Sequence, residues 1–352
     1  MPIFVNFYEY KGCCGGEFGE KAKIPLAFNW SNQLLYLNIT RKLVPVQTSP
    51  QKTIQRRTAG ENVWLGFSDP ARPVRPDGDF RYTVLDSEVA VGRAMFAELK
   101  AYADEKEGDI TMVLLGGRGA QAMYRLIERL AETDEIDELL GRLHVFTQDA
   151  LAPMRMANGL SFVRDFERLL GPRFFAKIKS FTPMITETDD LEGELRKYLE
   201  RLESLGGIDL FFLGLGPEAA AASHLCYIKP GCGAAFGDFA GIIPISPSIL
   251  EHHIAKFKVG GSEVSAEDEA ECRRAAYILT LGPAAILGAK RIVQSIVDAS
   301  TATAKPASFK RLIETELSSD DAELARQADE NPGLLIRLHP DVRSYVLPDL
   351  LS

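Results

Sequence analysis

No stretch of the 352-residue chain is apolar for long enough to span a bilayer, and the first residues lack a basic-then-apolar signal pattern. A membrane-spanning or exported protein is therefore not expected. Cysteine is scarce, with five in all, an odd number that makes no disulfide framework in a chain of this length. The thiols are expected to be reduced and the protein cytoplasmic. A basic excess is also missing. Forty Lys+Arg against 49 Asp+Glu leave a net charge of −9, which argues against nucleic acid as a partner. No internal repeat or low-complexity tract is present. Metal-ligand spacings are absent as well. Cys13-Cys14-Gly15-Gly16 has no second cysteine pair and reads as a turn, and His224, Cys226 and Cys232 lack a fourth ligand. Neither a metal nor a cofactor is expected.

What is present divides the chain in three. Residues 1–68 read as a small β-rich N-terminal annex, in which Val5, Phe7, Leu35, Leu37 and Ile39 alternate with other residues and Trp64 lies in a short apolar run. Residues 69–81 are rich in Pro, Asp and Gly and read as a linker. Through residue 80 there are 10 Lys+Arg against 7 Asp+Glu, and beyond it 30 against 42, so a mildly basic annex precedes an acidic body. Residues 82–352 alternate short apolar runs with helical patterns. Val91, Met95, Leu99 and Tyr102 share one helical face, and Met123, Leu126, Ile127 and Leu130 share another. Strands are expected at 111–115, 143–147, 241–245, 277–281 and 292–297, and helices at 161–170, 190–205 and 248–257. This order implies an α/β fold of three α/β/α layers around a mostly parallel, Rossmann-like sheet. His252 and His253, adjacent on a helix, are expected to diverge as a surface pair.

The most informative stretch is 208–218. The apolar run Ile208 to Leu213 stops at Gly214-Leu215-Gly216-Pro217-Glu218. Its length suits a strand buried on both faces, and Gly214 and Gly216 mark a tight turn at the carboxyl end. Proline fits the first position of a helix, and an acid in the first turn complements the helix dipole. In open parallel sheets, ligands bind at that edge.

Three such turns, in order, resemble the glucosamine-6-phosphate deaminase and 6-phosphogluconolactonase family. They are Leu115-Gly116-Gly117-Arg118-Gly119, with Tyr124 following, then Val145-Phe146-Thr147-Gln148-Asp149, then Gly214-Leu215-Gly216-Pro217-Glu218. Downstream, Leu279-Thr280-Leu281-Gly282, Ala289-Lys290-Arg291-Ile292 and Leu338-His339-Pro340-Asp341-Val342 are similar to the family's closing segments. The similarity spans roughly residues 82 to 350. It implies a role in carbohydrate metabolism, with a phosphorylated sugar or related small anion as partner. No nucleic acid or membrane partner is implied, and assembly into a homo-oligomer is left open. It places Gly116, Gly117, Arg118, Gly119 and Lys305 at the phosphate, Gly214 and Gly216 at the site's turn, and Asp149 as the base that moves a proton at the sugar's C2.

The departures from the family pattern bear on activity. Ala150 stands where the family has a second acid, and Glu218-Ala219-Ala220 replaces its Asp-Gly-His. Lys229 replaces the acid before Pro230-Gly231, and the segment Gly237 to Ala240 has lost the phosphate arginine. Two readings are open at each candidate. The glycine turn offers free N–H groups to an anion, with Arg118 as a guanidinium fork. Alternatively it only reverses the chain, while Arg118 pairs with Asp149 or Glu218. Asp149 is a base or a turn-forming aspartate, and Glu218 is a pocket carboxylate or a first-turn helix acid. His224, four residues after Ala220, stands in for the missing imidazole or is an ordinary histidine. An active enzyme would be a sugar-phosphate isomerase/deaminase or lactonase-type hydrolase using Asp149 and Glu218. The alternative is a non-catalytic sugar-phosphate sensor or assembly protein that kept the fold.

Loss of the family imidazole generates a first prediction. General acid–base catalysis contributes a factor of about 10² to 10⁴. Ammonia release from glucosamine 6-phosphate should accordingly fall far below an ordinary turnover of about 10 per second. Turnover at that ordinary rate would overturn the expectation and assign the imidazole's task to another residue.

Overall fold

The structure, a computed structural model, describes residues 52–76, 79–216 and 227–352. They belong to one compact unit that begins at Pro50. The alternation noted between Val5 and Ile39, and the Cys13 to Gly16 turn, lie outside the described residues. In chain order the elements begin with β1 (Ile54–Ala59), β2 (Asn62–Phe67), β3 (Thr83–Val84), α1 (Glu88–Glu105), β4 (Ile110–Leu114), α2 (Gln121–Ala131) and α3 (Asp137–Leu140). There follow β5 (Leu143–Thr147), β6 (Asp149–Ala152), α4 (Phe162–Lys177), β7 (Ser180–Thr182), α5 (Leu191–Ser204), β8 (Leu210–Leu213), β9 (Ala240–Pro244) and α6 (Pro247–Val259). The remainder is α7 (Ala266–Cys272), β10 (Tyr277–Leu281), α8 (Pro283–Gly288), β11 (Arg291–Ile296), α9 (Ala304–Glu314), α10 (Asp321–Glu330) and β12 (Val342–Val346). Among the described residues, no helix is long and apolar enough to cross a membrane.

Seven strands form a parallel sheet in the order β3-β12-β11-β8-β4-β5-β7. Its central strands, Ile-Thr-Met-Val-Leu in β4 and Leu-Phe-Phe-Leu in β8, are buried at every position. Continuous apolar runs of this kind suit strands covered on both faces. Successive side chains alternate between the two faces. Val113, Phe146, Phe211, Leu213 and Ile292 enter one core, and Met112, Leu114, Val145, Phe212 and Val293 enter the other. Helices α1, α2 and α4 close the second core with Met95, Met123 and Phe166. The first is closed by α5, α8 and α9 through Leu199, Ile286 and Phe309. At the amino edge, buried Asp209 accepts hydrogen bonds from Thr111 N, Tyr102 OH and Lys106 Nζ at 2.8, 3.0 and 2.5 Å, which ties α1 to the sheet.

Two findings depart from the sequence reading. Strands β9 and β10, expected in the parallel sheet, pair antiparallel in a second sheet of order β1-β2-β9-β10-β6. An apolar run reports that a strand is buried but not the direction of its neighbours. Residues 54–67, assigned to the annex, form a hairpin whose second strand hydrogen-bonds to β9. Trp64 and Leu65 of that strand are fully buried in the core that holds Phe211. The segment 69–76 carries no regular structure, and Val74 N donates to Leu338 O at 2.8 Å.

The Trp64 indole lies flat against the backbone at Gly241, where an added Cβ would come within 2.6 Å of its ring. A buried indole held by a sheet cannot swing aside. Gly241→Ala should therefore cost about 1–3 kcal/mol of stability, read from a denaturation midpoint at constant m-value. An unchanged midpoint would show that the hairpin is not packed on β9 in this way.

Candidate functional site

At the carboxyl edge, β4 ends in the turn Leu115 to Gly119, which leads through one turn of 3-10 helix into α2. Gly117 has φ 74°, the left-handed region that side chains avoid. A Cβ on Gly116 would fall 2.2 Å from the Phe162 ring. Both glycines are therefore required by the geometry. Tyr124 OH donates to Leu115 O at 2.7 Å and Ser295 Oγ to Gly119 O at 2.6 Å, fixing the turn from two sides. Among the described residues, no backbone hydrogen bond occupies the N–H groups of Gly116, Gly117 or Arg118. The turn after β8, at Gly214 to Gly216, lies beside it, because β4 and β8 are neighbours, and both line one cavity. Beyond Gly216 the corner leaves the described residues, and Glu218 and His224 lie outside them.

Asp149 lines the same cavity. The chain leaves the parallel sheet at Thr147 and enters the antiparallel one at Asp149, whose backbone pairs with Thr280. The carboxyl is thus held at the junction of two sheets, 3 % exposed, with no hydrogen bond or ion pair among the described residues. It caps no helix and closes no turn. Burial without a compensating donor raises its pKa well above the usual carboxylate range.

The same cavity is lined by a charged cluster that the sequence reading only partly located. Lys305, in the first turn of α9, is buried and donates to Asp298. Lys256 of α6 reaches the same carboxylate at 3.6 Å. Burial opposes ionisation of Asp298, but Lys305 and Lys256 outweigh it and hold the carboxyl below its usual range. Burial lowers the Lys256 ammonium against the pull of Asp298, and the positive charges of Lys305 and Arg118 lower it further. Two lysines facing one aspartate leave this wall of the cavity cationic.

Helix α6 supplies more of the wall than the sequence suggested. Ser246 caps it and Pro247 opens it. Lys256 follows His252 by one helical turn, and Phe257 follows His253 in the same way, so both pairs present to the cavity. His253 is not the surface histidine expected. It is 1 % exposed, and its Nε2 donates to Leu160 O at 2.7 Å while Nδ1 accepts from Tyr227 OH at 3.0 Å. Burial pushes its pKa down to about 3, so the ring is neutral and structural. Phe162 packs edge-on against His253 and Phe257, with centroids 5.1 and 5.2 Å apart, which makes an apolar wall. The i, i+4 spacing of the two pairs was the available signal.

Arg118 also lines the cavity, and of the two acids proposed from sequence Asp149 is not its partner, while Glu218 lies outside the described residues. Its Nη2 donates to Glu88 Oε1 at 2.7 Å, at the start of α1, and not to Asp149. Among the described residues, no group of three or more His, Cys, Asp or Glu is arranged to hold a metal ion.

With this geometry established, the chain can be compared with known proteins. No family model matches it. It is 25% identical over 251 residues to glucosamine-6-phosphate deaminase 1 of Bacillus subtilis (strain 168), covering 70% of this chain and 88% of that protein. A second glucosamine-6-phosphate deaminase, from Geobacillus sp. (strain WCH70), is 27% identical over 165 residues, or 47% of this chain. The match spans 53%, about half, of that relative's length. Among solved structures, a monomeric glucosamine-6-phosphate deaminase of the NagB superfamily superposes with TM-score 0.60 at 20% identity, covering 78% of this chain and all of that one. The 6-phosphogluconolactonase of Trypanosoma brucei does so with TM-score 0.53 at 14% identity, over 80% and 98% of the two chains. The chain is thus similar in sequence to glucosamine-6-phosphate deaminases and shares the α/β fold of deaminases and lactonases.

The environment of Asp149 has a consequence for stability. Its folded-state pKa lies above that of the unfolded chain, which is about 4. The folded protein therefore loses stability as pH rises from about 4 through the raised value. Asp149→Asn removes that loss. The variant should melt above the wild type at pH 7, with the gap narrowing toward pH 4. A variant that melts lower at pH 7 would contradict the burial of an unpartnered carboxyl.

Proposed function

We propose that the cavity binds a phosphorylated sugar or a closely related small anion and that Asp149 is the group that exchanges a proton with it. One observation carries the reading: a glycine turn with open N–H groups, a lysine pair gathered on one aspartate and a buried carboxyl without a partner among the described residues converge on one cavity at the carboxyl edge of a parallel sheet. Each part has a chemical task. The turn at the start of α2 donates N–H groups to phosphate oxygens and aligns the helix dipole with their charge. Lys305 and Lys256 supply the positive charge that the missing family arginine would have given. Phe162 and Phe257 offer an apolar face to the sugar ring. Asp149 lines the same cavity, and burial raises its pKa above the usual carboxylate range, which suits a group that must both take and give a proton. Sequence similarity to glucosamine-6-phosphate deaminases supports the same ligand class. Glu218 and His224, which follow Gly216 within ten residues, are the proposed acid–base partners of Asp149.

Calorimetric titration with glucosamine 6-phosphate, fructose 6-phosphate and 6-phosphogluconate tests this, with the unphosphorylated sugars as controls. Binding should require the phosphate. A hydrogen bond to a charged group contributes about 1.5–3 kcal/mol, so Lys305→Ala and Lys256→Ala should each weaken binding about 10- to 150-fold. Binding without turnover would assign a sensor role to the same pocket. Equal affinity for the unphosphorylated sugars, or unaffected binding in both variants, would overturn the reading.

A further inference from the structure

Behind the glycine turn, on the far side of Arg118 from the pocket, lies a second cavity of about 330 Å³, lined by α1, α2 and the end of α6. Four arginines line it, Arg93, Arg118, Arg125 and Arg129, and Glu88 is the one acid of the lining. Glu88 is already engaged by Arg118. Arg93, Arg125 and Arg129 make no hydrogen bond or ion pair among the described residues. In a chain of net charge −9 this is a local excess of three positive charges.

The fold forces these charges together. A Cβ on Gly92 would lie 2.6–2.7 Å from Ala122 and Met123, so α1 and α2 touch backbone to backbone at this point. Arg93 is the next residue on α1, and Arg125 and Arg129 follow on α2 at i, i+4 spacing, where like charges repel. The Nε of Arg118 is buried with no acceptor. Among the described residues no ion pair engages Arg93, Arg125 or Arg129, and solvent alone screens them until an anion binds.

We infer that this cavity is a second anion site, separate from the sugar-phosphate pocket, for a small molecule carrying two or more phosphoryl groups. Guanidinium forks bind phosphoryl oxygens two at a time, and three open forks spread around a cavity of about 330 Å³ suit two linked phosphoryl groups. The cavity is a concavity between helices in an acidic chain, which favours a compact ligand over a long polyanion. Arg118 belongs to both sites: its backbone forms the phosphate turn and its side chain lines the outer cavity. A polyphosphate there competes with Glu88 for Arg118, which couples the outer site to the turn.

Inorganic pyrophosphate is the probe, titrated into the full chain by calorimetry at low salt. The double variant Arg125→Ala/Arg129→Ala should weaken binding at least tenfold and keep the wild-type melting temperature, since both side chains are exposed. Lys305→Ala, which disables the inner pocket, should leave pyrophosphate affinity within about twofold, so the two sites fail or stand independently. Pyrophosphate binding lost in Lys305→Ala but kept in the double variant would overturn the inference. So would no pyrophosphate binding at all, or capture only of an acidic peptide or oligonucleotide.

Discussion

The parallel sheet is buried on both faces, and that constraint decides where chemistry can occur. Each large apolar side chain placed in those cores contributes roughly 1.5–3 kcal/mol, and the central strands supply them at every position but Thr111. Polar groups within the sheet are few and bond to one another, as Ser344 does to Gln294, so those that face a ligand collect where the strands stop. At the amino edge the single buried carboxylate, Asp209, is satisfied by three donors and only ties elements together. At the carboxyl edge Asp149 is buried with none. The contrast supports the proposed proton-transfer role of Asp149, since Asp209 has no capacity left for a ligand.

The second sheet gives this edge its depth. By passing from β5 directly into β6, the chain carries Asp149 from one sheet into the other and roofs it with β10. The hairpin 54–67 extends the same sheet through β9, and Arg57 donates to Asp238 from it, an ion pair that joins β1 to the loop before β9. Across the cavity, Asp298 holds Lys305 and Lys256 in place. Among the described residues that line this wall, two lysines share one aspartate. A buried carboxyl left unpaired and two lysines crowded on one aspartate both cost stability, and sites that bind and react with charged ligands commonly carry such costs.

Much of this was legible in the residues. Short apolar runs ending in glycine marked β4 and β8, and the turns after them do meet in one cavity. Asp149 came from the second motif and Lys305 from a separate match to the family's phosphate-binding lysine, and both line that cavity. What stayed hidden were facts of pairing. The runs at 240–244 and 277–281 look like those of the parallel sheet, because burial alone shapes their composition. Trp64 seemed part of a separate annex because its strand partner lies some 170 residues later. His253 was taken for a surface residue because adjacent helical side chains diverge, yet here one of the two turns into the core. The partner of Arg118 is Glu88, thirty residues upstream, and no motif links them. Lys256 was missed because the family's arginine aligns with the segment Gly237 to Ala240, at the start of β9, whereas this lysine lies on α6, the helix that follows.

The account stands on phosphate recognition at the glycine turn, and a crystal structure of the protein with 6-phosphogluconate examines that most directly. The account predicts the phosphate oxygens within hydrogen-bond distance of the Gly117 and Arg118 N–H groups and of Lys305 Nζ, with the sugar carbons directed toward Asp149. A phosphate found instead among Arg93, Arg125 and Arg129, or a ligand whose phosphate faces solvent, would contradict it.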